Sequence, residues 1–119
     1  MGNQEHVPEL VTVKLNKRRI MSNCAIIPGT KNVMITGGFF GREEGLESTE
    51  IFDAENESIT MGSPLNSERI DHGLGVITIN NEDRLVVLGG LALGYENYDS
   101  VEVYNDSTKE WETKSMYLN

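Results

Sequence analysis

The chain has 119 residues, of which 24% are charged and 38% hydrophobic, and carries a formal net charge of −9. That composition excludes a disordered chain, and the acidic balance disfavours nucleic acid and anionic membrane surfaces as partners. One cysteine, Cys24, excludes an internal disulfide and a cysteine-rich metal site; with no run of about 20 apolar residues and no basic, apolar leader, a soluble, cytoplasmic protein is expected.

Taken in chain order, short apolar runs alternate with turn chemistry. Strands are expected at about 22–28, 32–37, 48–53 and 58–63, then again at about 72–80, 84–89, 100–105 and 109–115. Pro28-Gly29 and Asn80-Asn81 mark the first turn of each set. Asp53-Ala54-Glu55-Asn56 and Asn105-Asp106-Ser107-Thr108 mark the last. Sustained 3.6-residue periodicity is missing, so no helix is expected. The runs 33–36 and 85–88 are apolar at nearly every position, as in a strand covered on both faces. The segments 49–52 and 101–104 alternate, with Glu50 and Glu102 between apolar neighbours, and read as more peripheral strands.

The two sets are copies of each other. Gly37-Gly38 recurs as Gly89-Gly90, and Ser48-Thr49-Glu50-Ile51-Phe52-Asp53 as Ser100-Val101-Glu102-Val103-Tyr104-Asn105, both 52 residues on. Ile59 matches Trp111 in the same register. Upstream the offset is 50, where Leu15-Asn16-Lys17-Arg18-Arg19-Ile20 matches Leu65-Asn66-Ser67-Glu68-Arg69-Ile70. The two-residue change is expected in the turn after the first strand. A period near 50 residues is the mark of a repeat architecture whose units lean on one another.

These landmarks resemble the kelch repeat: an apolar run into Gly-Gly, a variable loop, a Ser-x-Glu-x-Tyr-like segment, a Trp, then an Arg opening the next innermost strand. The second unit follows the pattern through Gly89-Gly90, Ser100 to Tyr104 and Trp111. The first departs from it, with Phe52 for tyrosine and Ile59 for tryptophan. The resemblance implies an all-β fold: two four-stranded antiparallel blades of an incomplete kelch-type β-propeller. The expected division is a tail with an outer strand of a preceding blade over 1–16, a first repeat over 17–66 and a second over 67–119. Glu9 to Lys14 is the candidate for that outer strand. Two blades do not close a ring, so exposed flanks and self-association are expected.

For Arg19 and Arg69 the resemblance implies a place near the channel mouth, where a guanidinium fork suits an acidic or polar peptide. The alternative is a structural arginine that binds backbone and carboxylate. The long loops 39–47 and 91–99 carry aromatic and charged side chains on a rigid sheet, a usual setting for recognition. The expected partner-binding residues are therefore Arg19, Arg69, Phe39, Phe40, Arg42, Tyr95 and Tyr98. His72 and Trp111 read as packing residues, and Cys24 as a small buried one. The asparagines of Asn56-Glu57-Ser58 and Asn105-Asp106-Ser107 read as turn residues rather than glycosylation acceptors.

Two histidines at unrelated repeat positions do not make a metal site, and no nucleophile–base pair or phosphate loop is visible. No cofactor and no catalysis are expected. The function implied is a protein-interaction module, of the kind found in ubiquitin-ligase substrate adaptors or actin-binding scaffolds. The alternative is a fragment of a kelch-fold enzyme such as a sugar oxidase or a sugar-acid isomerase.

Overall fold

The computed structural model describes residues 13–41, 44–92 and 98–114. Ten strands run through them: β1 (Asn23–Ile26), β2 (Asn32–Thr36), β3 (Phe39–Phe40), β4 (Glu44–Gly45), β5 (Thr49–Asp53), β6 (Ser58–Met61), β7 (Gly73–Ile79), β8 (Glu82–Leu88), β9 (Val101–Asn105) and β10 (Glu110–Lys114). They form two four-stranded antiparallel sheets, β1-β2-β5-β6 and β7-β8-β9-β10, and a two-stranded hairpin, β3-β4. Among the described residues there is no helix. The all-β reading holds, as do eight strand positions to within a few residues. The β3-β4 hairpin was not foreseen; it lies within a stretch read as loop. The expected strand over 9–14 falls mostly outside the described residues.

The duplication is visible in the backbone itself. Gly37 and Gly38 have φ of 61° and 89°, and Gly89 and Gly90 have 60° and 88°. Met21 and Asp71 share φ of 54° and 53° just before β1 and β7, and Glu57 and Lys109 share 52° and 61° in the last turns. A left-handed conformation is unfavourable for non-glycine residues. Its recurrence at matched positions shows that both copies follow the same backbone path.

The sheets differ where the offset changes. Asn80 and Asn81 both have positive φ, as a two-residue type I′ hairpin requires. That tight turn lets β7 and β8 pair over seven residues each. In the first sheet a longer turn, closed by Thr30 N–H to the Ile27 carbonyl, joins strands that pair over only four positions. The two extra residues of the second copy therefore extend the ladder, not the turn.

The sheets pack broadside. Ala25, Met34 and Ile51 of the first meet Leu74, Leu85, Val87, Tyr104 and Trp111 of the second, with Ile27 and Leu65 completing the core. Strand register puts each set on one face, because antiparallel partners such as Tyr104 and Trp111 point the same way. Their rings lie 5.0 Å apart at 53°, a tilted geometry that aromatic pairs favour. Burial on both faces holds for β8, where Leu85, Val86 and Val87 are all buried. It does not hold for β2, whose Val33 and Ile35 are only half-buried. Cys24, expected to be buried, is exposed: it points away from the joint, onto the flank that the second sheet does not cover. The segments 49–52 and 101–104 are not peripheral either, since Glu50 and Glu102 are completely buried.

Candidate functional site

The two buried glutamates lead to the polar centre of each sheet. The Arg19 Nε–H donates to Glu50 Oε2 at 2.9 Å. One Nη of Arg19 donates to the Gly37 and Ser48 carbonyls at 2.9 and 2.8 Å, and the other to Ser48 Oγ at 2.8 Å. The second copy repeats this contact for contact. Arg69 Nε–H meets Glu102 at 2.8 Å, the Gly89 and Ser100 carbonyls accept at 2.9 and 3.1 Å, and Ser100 Oγ accepts at 2.7 Å. Asn16 and Asn66 complete the pairs, their backbone N–H groups donating to Glu50 and Glu102 at 2.5 Å.

All four charged side chains have 0% exposure. Buried charge is tolerated only when paired and fully hydrogen-bonded, and this arrangement meets that condition. Burial pushes the Glu50 carboxyl up. The Asn16 N–H, the Arg19 guanidinium and the Lys17 N–H outweigh it and hold the carboxyl below its ordinary value. Glu50 therefore stays ionised at neutral pH.

Each guanidinium binds the residues that begin and end a long loop, 37 with 48 and 89 with 100. It is a staple across the base of loops 39–47 and 91–99. Arg19 and Arg69 thus have no side-chain surface to offer a partner in this chain; they position the loops. The Arg69 Cζ also lies 5.0 Å from the centroid of the Tyr98 ring, within cation–π range, so the half-buried Tyr98 lies against the staple. Arg42 and Tyr95 fall outside the described residues.

Phe39 and Phe40 lie on β3. Phe39 is half-buried and bridges Ile20, each backbone N–H donating to the other's carbonyl. Phe40 is 54% exposed, and the Arg18 guanidinium sits over its ring at 5.8 Å. Around them Asn16, Lys17, Arg18, Phe40 and Leu46 line a cleft of about 360 Å³. It is an exposed aromatic flanked by two cations in a chain of charge −9. Lys17 and Arg18 were not among the expected site residues. The available signal was a departure from the repeat: Arg18 is matched by Glu68, and Phe40 by Ala92.

His72 is buried in the joint between the sheets, its Nε2 sharing a hydrogen bond of 2.6 Å with Thr36 Oγ1. Burial, and then the charge of Arg69, push its pKa below the ordinary histidine value. The turn asparagines act as expected: Asn105 Oδ1 accepts from the backbone N–H of Ser107 and Thr108. Among the described residues no three His, Cys, Asp or Glu side chains gather as a metal-holding group. No helix there is long and apolar enough to cross a membrane.

In comparisons with known proteins, no family model matches this chain. No curated protein matches it significantly either.

Proposed function

We propose that the chain is a pair of kelch-type propeller blades whose role is to hold a protein-binding edge, with the cleft around Phe40 as its contact point. The observation that carries this reading is the staple: a fully buried guanidinium closes the base of each long loop, so the loop is presented from a rigid frame. The duplicated sheet order, the paired glycines and the broadside packing support the propeller assignment. Phe40 supplies an apolar anchor, and Lys17 and Arg18 supply charge that attracts an acidic segment. A substrate-receptor role in a ubiquitin-ligase adaptor makes direct use of such an edge.

The test is quantitative affinity capture from cell extract with the wild-type chain, Phe40→Ala, Arg18→Glu and a control, Lys31→Ala. Lys31 is exposed and pairs only with Glu55 at 2.9 Å among the ion pairs described. A protein recovered by wild type and control, and lost with both cleft variants, supports the reading. Recovery of every bound protein at equal levels by all four forms removes it.

A further inference from the structure

The charge beside Phe40 changes sign across Leu46. Lys17 and Arg18 are exposed and line the cleft together with Leu46. The Leu46 carbonyl accepts the Arg69 N–H at 3.3 Å, and the next carbonyl, that of Glu47, accepts the Leu65 N–H at 2.7 Å. The backbone therefore brings Glu68, just before Arg69, alongside Glu47, just after Leu46. Glu47 is exposed and Glu68 half-buried. Two cations stand with the aromatic ring, and two carboxylates adjoin the Leu46 wall.

The repeat separates this gradient from the demands of the fold. At the matching place in the second copy, Ser67 and Glu68 stand for Lys17 and Arg18, Ala92 for Phe40 and Asp99 for Glu47. Ala92 is buried and Asp99 exposed. The same backbone thus carries cations and an aromatic anchor in one copy, and carboxylates without the anchor in the next. A uniformly acidic partner suits only the first part of that order. The net charge of −9 opposes its approach. Salt screens charges farther off than about 8 Å, but Glu47 follows the cleft-lining Leu46 directly and repels at close range.

We infer, on the reading that the Phe40 cleft is the contact point, that the partner presents an extended segment of mixed charge. Its carboxylates lie over Lys17 and Arg18, an apolar side chain rests on Phe40, and a cationic side chain reaches toward Glu47 and Glu68. A like charge at either end of the gradient costs affinity, so the edge selects against segments of a single sign.

The experiment is fluorescence anisotropy of end-blocked peptides, each carrying an uncharged fluorophore, titrated with the full chain. The probes are Glu-Glu-Leu-Ala-Lys-Lys, Glu-Glu-Leu-Ala-Glu-Glu and Lys-Lys-Leu-Ala-Lys-Lys. Wild type should bind the mixed peptide about fivefold more tightly than either uniform one, the scale of one or two exposed ion pairs. Glu47→Lys should move the preference to the all-acidic peptide, and Arg18→Glu to the all-basic one. Both substitutions fall on exposed residues, where the fold tolerates a change of charge. If wild type takes the all-acidic peptide as tightly as the mixed one, or Glu47→Lys leaves the preference unchanged, the inference is overturned. The Phe40 reading then still stands, provided that Phe40→Ala abolishes the binding. Binding that Phe40→Ala does not weaken, or no binding of any probe, overturns both.

Discussion

The two sheets carry the same polar centre but live in different surroundings. Arg19 with Glu50 and Arg69 with Glu102 match bond for bond. Around them the packing diverges. The second sheet has Tyr104 and Trp111 in a filled joint, and the first has Phe52 and Ile59 on an open cavity. The polar centre is local, built from one loop base and one incoming segment, and survives without a neighbour. The apolar faces need a neighbour to be complete. A repeat unit therefore separates into a part that specifies its own shape and a part that specifies what it stacks on.

The largest expected effect breaks the apparent equality of the staples. Removing one partner of a buried ion pair leaves the other charge uncompensated, which costs about 3–5 kcal/mol. Glu102→Ala should show that full loss. Arg69 is buried as a whole residue, and its segment is held against the first sheet by the Arg69 N–H to the Leu46 carbonyl and the Gly38 N–H to the Arg69 carbonyl. It reaches water only if the joint opens. Glu50→Ala should lose less, about 1–3 kcal/mol. The covering residues 14–18 are exposed, so their segment can lift and hydrate Arg19. Urea unfolding followed by the fluorescence of Trp111, the chain's one tryptophan, measures both. Equal losses would mean that the flank shields Arg19 as well as the joint shields Arg69.

That contrast marks what the sequence could and could not reveal. Eight strands and the duplication were legible because Gly-Gly, the turn asparagines and the apolar runs act locally, each through a backbone requirement that one residue type satisfies. Glu50 and Glu102 were misjudged as peripheral because alternation with apolar neighbours ordinarily marks a solvent-facing side. Their burial depends on arginines more than thirty residues away, a pairing that strand periodicity does not carry. The recurrence of Arg, Ser and Glu in both copies was the available signal: solvated polar residues have no physical reason to repeat in register. Cys24 failed for the opposite reason. Matching it to Leu74 predicts a shared environment, but the second sheet packs against one face of the first and Cys24 lies on the other, where it is exposed. The cleft at Phe40 was half visible, through its aromatics and not through the cations supplied by residues 17 and 18.

A middle-sized effect sharpens the comparison at the glycines. Gly37 and Gly89 have the same φ to within a degree, so an alanine at either bears a similar left-handed penalty of about 1–2 kcal/mol. Only Gly37 adds a collision, since its Cβ would meet backbone and His72 across the joint while that of Gly89 has space. Gly37→Ala should therefore destabilise clearly more than Gly89→Ala in the same unfolding assay. Equal losses would show that the joint yields to a methyl group, and that the glycine is needed for its backbone angle alone.

The smallest effect concerns pH, and only one sheet should show it. His72 has Ser22 as its counterpart, so the imidazole is a feature of the filled joint alone. Its folded pKa lies below the ordinary 6.5, through burial first and the Arg69 charge second, with the Arg69 carbonyl, Asp71 and Glu102 opposing in part. The sign follows from linkage. Above about 6.5 the imidazole is neutral in both states, and stability is full. As pH falls below that value the unfolded chain takes up a proton that the folded joint resists, so stability declines until the folded pKa is reached. The slope cannot exceed one proton, about 1.4 kcal/mol per pH unit. Glu50, held below its ordinary value of 4.5, contributes its own loss only at more acidic pH, which leaves the interval from 7.5 to 5.5 to histidine. Unfolding free energies across that interval should slope for wild type and flatten for His72→Gln, whose amide still reaches toward Thr36 but does not titrate. An unchanged slope in the variant would mean that the joint tolerates an imidazolium beside Arg69, and that the Thr36 contact is no proton-sensitive fastening.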